Sequence, residues 1–331
     1  MNRFITRILT YVVLMFSIGF AFIYFAIWIC PNKFSGEPYT YFLWDYQTKR
    51  MNQQFPAHNN IIIGDSKALA ALNPHITGHN FYNFSLSGTT PFEGYSLLKK
   101  FIAKNKVDTL LLSYSPLMFN GNPFDFEPAT LAFNFIGKED IENLEKVEQQ
   151  YHITLDNNKP SDLLYLKRKL ITAHFPWYFR ADFVNKIFTD IKTPFKKVEL
   201  FFNENGHSFY GQADSSTALA FEATRPKSLN HFDVNPVSIS YFDSIYALCN
   251  EKHIKFYYAT IPINQTTYQK IDTTPLYTQY ISLIESFKTK YPNITILNKY
   301  ATLPNAYYGD VNHLNQKGCL LFSSYIHEAL K

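Results

Sequence analysis

The sequence predicts an α/β domain built on a parallel sheet, tethered by an N-terminal membrane-spanning helix. Three observations carry this reading. Residues 8–30 run for 23 positions without a charge. Beyond them, short apolar runs of strand length alternate with stretches of helical periodicity, the rhythm of parallel strands joined by right-handed crossovers. The first apolar run, Ile61-Ile62-Ile63-Gly64, ends in Asp65-Ser66, and the last is followed by Asp310-Val311-Asn312-His313. In open α/β sheets ligands bind at the carboxyl ends of the strands, so both stretches are expected at one edge.

The uncharged run is long enough to cross a hydrocarbon core of about 30 Å. A signal-peptide core is shorter, about 7–15 residues, and ends at a small-residue cleavage site that is absent here. The segment is apolar on every face, unlike the one-sided helix of a soluble domain. Arg3 and Arg7 precede it, which predicts a cytoplasmic N-terminus and an extracytoplasmic remainder at the cytoplasmic membrane. The chain then divides into a cytoplasmic tip and anchor (1–30), a juxtamembrane connector (31–56) and a domain (57–331). The connector carries Tyr39, Tyr41, Phe42, Trp44 and Tyr46, rings suited to a membrane interface or to packing on the domain.

Residues 60–64 are the first predicted strand, and 67–72 a helix halted by Asn73-Pro74. A second strand spans 81–88. Pro91 opens a helix through Tyr95, Leu98 and Ile102, and 107–113 is a third, fully apolar strand. Between about 116 and 235 the rhythm breaks, which predicts an insertion. It holds a charged, exposed helix over 139–150, a helical stretch over 161–191, and a hairpin at 201–210 around Asn205-Gly206. The alternation then resumes: a helix from Pro236, a strand over 254–261, a helix over 276–287, a strand over 294–297, and a closing helix over 316–330.

Composition sets bounds. The chain has 331 residues, 46% hydrophobic and 18% charged, enough apolar material for a sizeable core. Its formal charge of +4 is small and the Lys and Arg are scattered, so nucleic acid is not an expected partner. Three cysteines make no disulfide framework. With 24 Tyr and 31 Phe the aromatic content is high; ordinary packing accounts for most of it, and a carbohydrate-stacking surface is the alternative.

Ser66, His313 and Asp310 make a candidate nucleophile, base and orienter. A serine that ends a strand and opens a helix sits where partial positive charge favours an oxyanion. No cofactor is called for, and the spacing of His58, His75 and His79 matches no common zinc site. Alone, Gly-Asp-Ser and Asp-x-x-His are common strings. Their order and their shared edge give them weight.

On these motifs the chain resembles the SGNH/GDSL hydrolase superfamily of serine esterases and acyltransferases. Gly64-Asp65-Ser66 is similar to that family's first block. Asn83-Phe84-Ser85-Leu86-Ser87-Gly88 resembles its second, with Ser85 where a glycine is usual. Asp310 and His313, continued by Leu314-Asn315-Gln316-Lys317-Gly318, are similar to its last. The resemblance covers residues 60–112 and 235–331. It implies a three-layer α/β/α flavodoxin-like fold and an oxyanion hole built from the N–H groups of Ser66 and Gly88. The family's third block, Gly-x-Asn-Asp, has no counterpart; Ser113-Tyr114-Ser115-Pro116-Leu117 stands in its place. Ser113, Ser115 or Asn120 is then the expected substitute donor, and loss of such a donor costs about 10²–10³ in turnover. Membrane-anchored SGNH-like proteins that work beside membrane-bound O-acyltransferases on cell-surface polymers show a similar departure.

Two functions from different classes follow. One is an extracytoplasmic serine esterase or O-acyltransferase that moves an acyl group, acetyl in the first instance, to or from a cell-surface glycan. The other is a non-catalytic scaffold that holds a glycan or a membrane-bound O-acyltransferase.

Overall fold

The computed structural model of the chain describes residues 2–29, 38–78, 80–121, 130, 133, 135–151, 205–208 and 232–331. Its strands are β1 (Asn60–Gly64), β2 (Phe81–Asn83), β3 (Thr109–Ser113), β4 (Lys255–Ala259), β5 (Ile263–Asn264), β6 (Ile294–Leu297) and β7 (Thr302–Leu303). Its helices are α1 (Asn2–Ile29), α2 (Pro38–Met51), α3 (Ser66–Ala71), α4 (Pro74–Thr77), α5 (Pro91–Ile102), α6 (Lys138–Tyr151), α7 (Pro236–Glu251), α8 (Gln265–Ile271), α9 (Pro275–Lys290) and α10 (Gln316–Ala329).

Five strands form one wholly parallel sheet in the order β2-β1-β3-β4-β6, and β5 pairs with β7 in a small second sheet. The register sets Ile61, Ile62 and Ile63 opposite Leu110, Leu111 and Leu112, and ends with Gly64 opposite Ser113. Successive residues serve different cores. Ile61, Ile63, Leu110, Leu112, Phe256 and Tyr258 pack with residues of α5, α7 and α9. Ile62, Leu111, Ala259 and Leu297 pack with Ala68 and Ala71 of α3 and with Phe322 and Ile326 of α10. Because both faces are covered, the strands read as unbroken apolar runs. Each fully buried Ile or Leu contributes about 1.5–3 kcal/mol.

Proline and side-chain caps start the crossover helices. Thr90 and Glu93 form a capping box ahead of Pro91 on α5, and Asn235 caps α7 ahead of Pro236. The strands and long helices therefore lie where periodicity put them, with some corrections. The second strand stops at Asn83 rather than running to 88. There the Asn83 amide turns inward, donating to the carbonyls of Ala68 and Leu72 and accepting from the Ser85 N–H. The chain still follows β1, since Phe84 and Leu86 donate to Ile62 and Gly64. Asn73-Pro74 does not simply end a helix: the Asn73 side chain accepts from the His75 N–H and opens α4. Nor is α6 merely an exposed charged helix, because Ile141 and Leu144, three residues apart, are buried.

The connector is mostly α2. Trp44 is fully buried, edge-on to Phe135 with ring centroids 5.0 Å apart, so this ring packs on the domain. Arg50 is also buried, its guanidinium 4.9–5.4 Å from the rings of Phe84, Tyr82 and Tyr46. Burial lowers its pKa, opposed by the neighbouring tyrosines. Ahead of it, α1 contains a 20-residue segment, Arg3–Phe22, long and apolar enough to cross a membrane and with none of it buried.

Of the expected hairpin, the turn is described. Asn205 and Gly206 both have positive φ, 50° and 90°, as a tight hairpin turn requires. The turn is pinned to the domain: Asn83 N–H donates to Asn205, Ser208 N–H donates to Leu69, and His207 is buried with Nε2 3.1 Å from the Ala70 carbonyl. The flanking strands, the helical stretch over 161–191 and most of the insertion lie outside the described residues, as does His79.

Candidate functional site

The sheet brings Ser66 and His313 together from opposite ends of the domain. Gly64 is the last residue of β1, and a Cβ there would lie 2.0 Å from the Ser113 carbonyl oxygen and 2.6 Å from the Ala68 methyl. Only glycine allows the β1 end to approach β3 and α3 this closely. Asp65 follows as the cap of α3. Its Oδ1 accepts from Lys67 N–H (2.9 Å) and its Oδ2 from Ser115 N–H (2.9 Å), tying the turn after β1 to the turn after β3. Ser66 is left at the first helical position with its hydroxyl toward the sheet edge.

Asp310 and His313 occupy a tight loop after β7. Tyr308 and Leu314 pair across its base, and Gly309 N–H donates to the His313 carbonyl at 3.0 Å. Within it Asp310 Oδ1 accepts from the N–H groups of Asn312 (2.7 Å) and His313 (2.8 Å), an Asx turn that sets the carboxylate beside the imidazole. His313 Nδ1 lies 2.8 Å from Asp310 Oδ2 and 3.0 Å from Oδ1, and its Nε2 lies 2.9 Å from Ser66 Oγ. With the proton on Nδ1, the ring donates to Asp310 and accepts from the Ser66 hydroxyl. The triad read from the sequence is thus a continuous hydrogen-bonded relay.

Its electrostatics suit that direction of proton transfer. Partial burial pushes the Asp310 carboxyl up, but the His313 ring and the two loop N–H groups outweigh it and hold the pKa below its ordinary value. Asp310 therefore stays ionised under the imidazole. The Asp310 side chain is 44% exposed and that of His313 15%, so the pair acts through orientation more than through a large ion-pair energy. For Lys67, next to the serine, burial dominates and lowers the pKa, while Asp65 and Asp310 act to raise it.

The oxyanion candidates separate clearly. The backbone N–H groups of Ser66 and Gly88 make no hydrogen bond among the described residues and remain available. Gly88 lies in the half-exposed turn that follows the segment paired along β1. Ser113 is fully buried, and its hydroxyl has no partner among the described residues. Asn120 is engaged elsewhere: its side-chain Oδ1 accepts from Asp233 N–H at 2.7 Å, and its backbone pairs with Val234. Ser115 is also buried, and its N–H is taken up by Asp65 Oδ2, which leaves its hydroxyl as the group it has to offer.

Two residues take a supporting role that the sequence did not assign them. Asn264, the cap of α8, donates its side-chain amide to the Val311 carbonyl and so holds the loop from outside. Asn315 caps α10 through the Gly318 N–H and donates to Ala306 and Tyr308, fixing the same loop from below. Each is an asparagine just ahead of a helical pattern, an N-cap signal that could have marked it. His58, set aside as a ligand, pairs with Asp108 at 2.7 Å. Compared with protein-family models and with curated protein sequences, the chain matches none.

Proposed function

We propose that this protein is a membrane-anchored serine esterase or O-acyltransferase of the SGNH type, acting outside the cytoplasmic membrane on an acylated glycan or a related cell-surface polymer. The observation that carries the reading is the relay from Ser66 through His313 to Asp310. The strand order β2-β1-β3-β4-β6, with apolar cores on both faces, supports the three-layer flavodoxin-like form of the fold. The unburied apolar α1, with Arg3 and Arg7 in its first two turns, supports a single span with the domain outside.

The chemistry follows from the relay. Ser66 Oγ attacks the acyl carbonyl while His313 Nε2 takes the hydroxyl proton. The N–H groups of Ser66 and Gly88, with Ser115 in the third donor place, stabilise the oxyanion. Collapse of the tetrahedral intermediate expels the alcohol, which leaves with the proton from His313. Water or a sugar hydroxyl then attacks the acyl-serine by the same steps in reverse order. Asp310 holds the imidazole in the required tautomer throughout.

A scaffold that grips a glycan or a membrane-bound O-acyltransferase is the second reading. The engagement of Asn120 with Asp233 and the sealed position of Ser113 favour it, because they leave the third donor to Ser115 alone. Single-turnover acylation with p-nitrophenyl acetate separates the two. The enzyme reading predicts a p-nitrophenol burst of one equivalent that Ser66→Ala abolishes and that Ser115→Ala slows by about 10²–10³. A burst no larger in the unmutated protein than in Ser66→Ala, with a membrane-bound O-acyltransferase partner present or absent, would favour the scaffold.

A further inference from the structure

At the same carboxyl edge of the sheet as the relay lies a cavity of about 290 Å³ that the proposed chemistry does not use. It opens at the carboxyl ends of β4 and β6, and four of its lining residues are tyrosines: Tyr268, Tyr277, Tyr280 and Tyr300. Two of the rings, Tyr277 and Tyr280, are buried in the core, and the Tyr280 hydroxyl donates to the Tyr114 carbonyl at 3.3 Å. Tyr268 and Tyr300 keep part of their surface exposed. Each is braced edge-on by another ring, Tyr268 by Tyr277 at 5.5 Å and Tyr300 by Tyr325 at 5.4 Å. The aromatic walls are therefore held in place before any ligand arrives.

The cavity is tied to the relay on two sides. Pro116, in its wall, follows Ser115, whose N–H holds Asp65 next to the nucleophile. Ile263, on another wall, precedes Asn264, whose amide holds the Val311 carbonyl inside the Asp310–His313 loop. The cavity wall is thus continuous in the chain with the supports of both halves of the site.

The lining chooses among ligand classes. Among the described residues the lining contains no Lys, Arg, Asp or Glu, and the exposed Lys299, whose ammonium lies 5.1 Å from the Tyr300 ring and 5.3 Å from that of Tyr325, is engaged with those rings outside it, so a phosphate or carboxylate finds no counter-charge within the lining itself. A simple acyl chain has no use for tyrosine hydroxyls, Thr260 and Asn298 placed among the rings. A pyranose does: its C–H faces pack on aromatic faces and its rim of hydroxyls meets polar groups. From this geometry we infer that the cavity is the subsite for a neutral sugar residue of the acyl acceptor, holding the unit whose hydroxyl exchanges the acyl group. The role as an acceptor subsite rests on the proposed serine chemistry; sugar binding does not.

The test is therefore a binding measurement. The full chain carrying Ser66→Ala, purified in detergent, is titrated calorimetrically with neutral tetrasaccharides built from glucose, N-acetylglucosamine or mannose. At least one should bind, and Tyr268→Ala or Tyr300→Ala should weaken it about ten-fold, while Tyr268→Phe and Tyr300→Phe retain most of the affinity. An unchanged thermal transition confirms that each Ala variant is folded; one that is not is replaced by the Tyr→Leu variant at that position. Binding of none of the three sugars at millimolar concentration overturns the subsite, and so does equal affinity in the folded variants. Preferential binding of a hexanoyl ester by the same tyrosines also overturns it, in favour of an acyl pocket. The p-nitrophenyl acetate burst, run without sugar, judges the serine chemistry separately, so the two failures are distinguishable.

Discussion

Ser66 and His313 lie 247 positions apart in the chain and 2.9 Å apart in space. Three of the site's residues could be read in the sequence because their order placed common strings at one sheet edge: a serine after the first strand, then a carboxylate and an imidazole three residues apart after the last. Asp65, Asn264 and Asn315 carry an N-cap signal, which marks a helix start but does not single them out as supports of the site, since many polar residues at helix starts do the same. Glu93 was invisible for a different reason. It is fully buried behind the turn that carries Gly88, accepting from Thr90 N–H at 2.8 Å, from the Thr90 hydroxyl at 2.6 Å and from the Thr130 hydroxyl at 3.2 Å. Burial dominates and pushes its carboxyl up to about 7, with these hydrogen bonds acting in the opposite direction. A folded-state pKa above the ordinary 4.5 means that the fold favours the protonated form. That stabilisation is full below the ordinary value and is lost as pH rises through about 7. Thermal stability should therefore fall between these limits, and Glu93→Gln should flatten the profile. Equal slopes in the two proteins would show that Glu93 does not titrate there.

At the scale of elements, apolar runs and proline starts identified the strands and crossover helices because both signals act within a few residues. The sheet order is set by long-range packing, and local periodicity carries little of it. The early end of β2 is a tertiary effect of Asn83 reaching Ala68 and Leu72, which no pattern along the strand reveals. The two-residue strands β5 and β7 are too short for any period to register. The joint between β1 and α3 is the most demanding element boundary. Gly64→Ala places a methyl 2.0 Å from the Ser113 carbonyl, a backbone atom that cannot rotate aside. The variant should lose about 1–3 kcal/mol of stability and should move Ser66 out of line with His313. Thermal unfolding and the acetate burst check both halves; a variant as stable and as fast as the parent contradicts this account of the joint.

For the whole molecule, the decisive features are a sheet whose carboxyl edge gathers both halves of the relay and a helix that fits a membrane. The break in rhythm between about 116 and 235, which predicts an insertion, falls largely outside the described residues. Among the described residues of that span, those anchored to the domain include the buried Phe119 and Phe135, α6 and the 205–208 turn, which holds on to Asn83 and Leu69. The membrane reading predicts that the full chain stays in the pellet after alkaline carbonate extraction, and that deleting residues 1–30 releases it to the supernatant. In spheroplasts of a bacterial host, added protease should degrade the domain beyond residue 31. Complete protection of the domain would place it on the cytoplasmic side and contradict the reading.

The central claim is that the fold makes Ser66 a nucleophile. A fluorophosphonate reacts covalently with a serine only when a base withdraws its proton, so labelling of the detergent-purified full chain, followed by peptide mass spectrometry, addresses the claim directly. The account predicts one adduct, on Ser66, lost in His313→Ala and strongly slowed in Asp310→Asn. Absence of label on Ser66, or labelling that persists unchanged in His313→Ala, would contradict it.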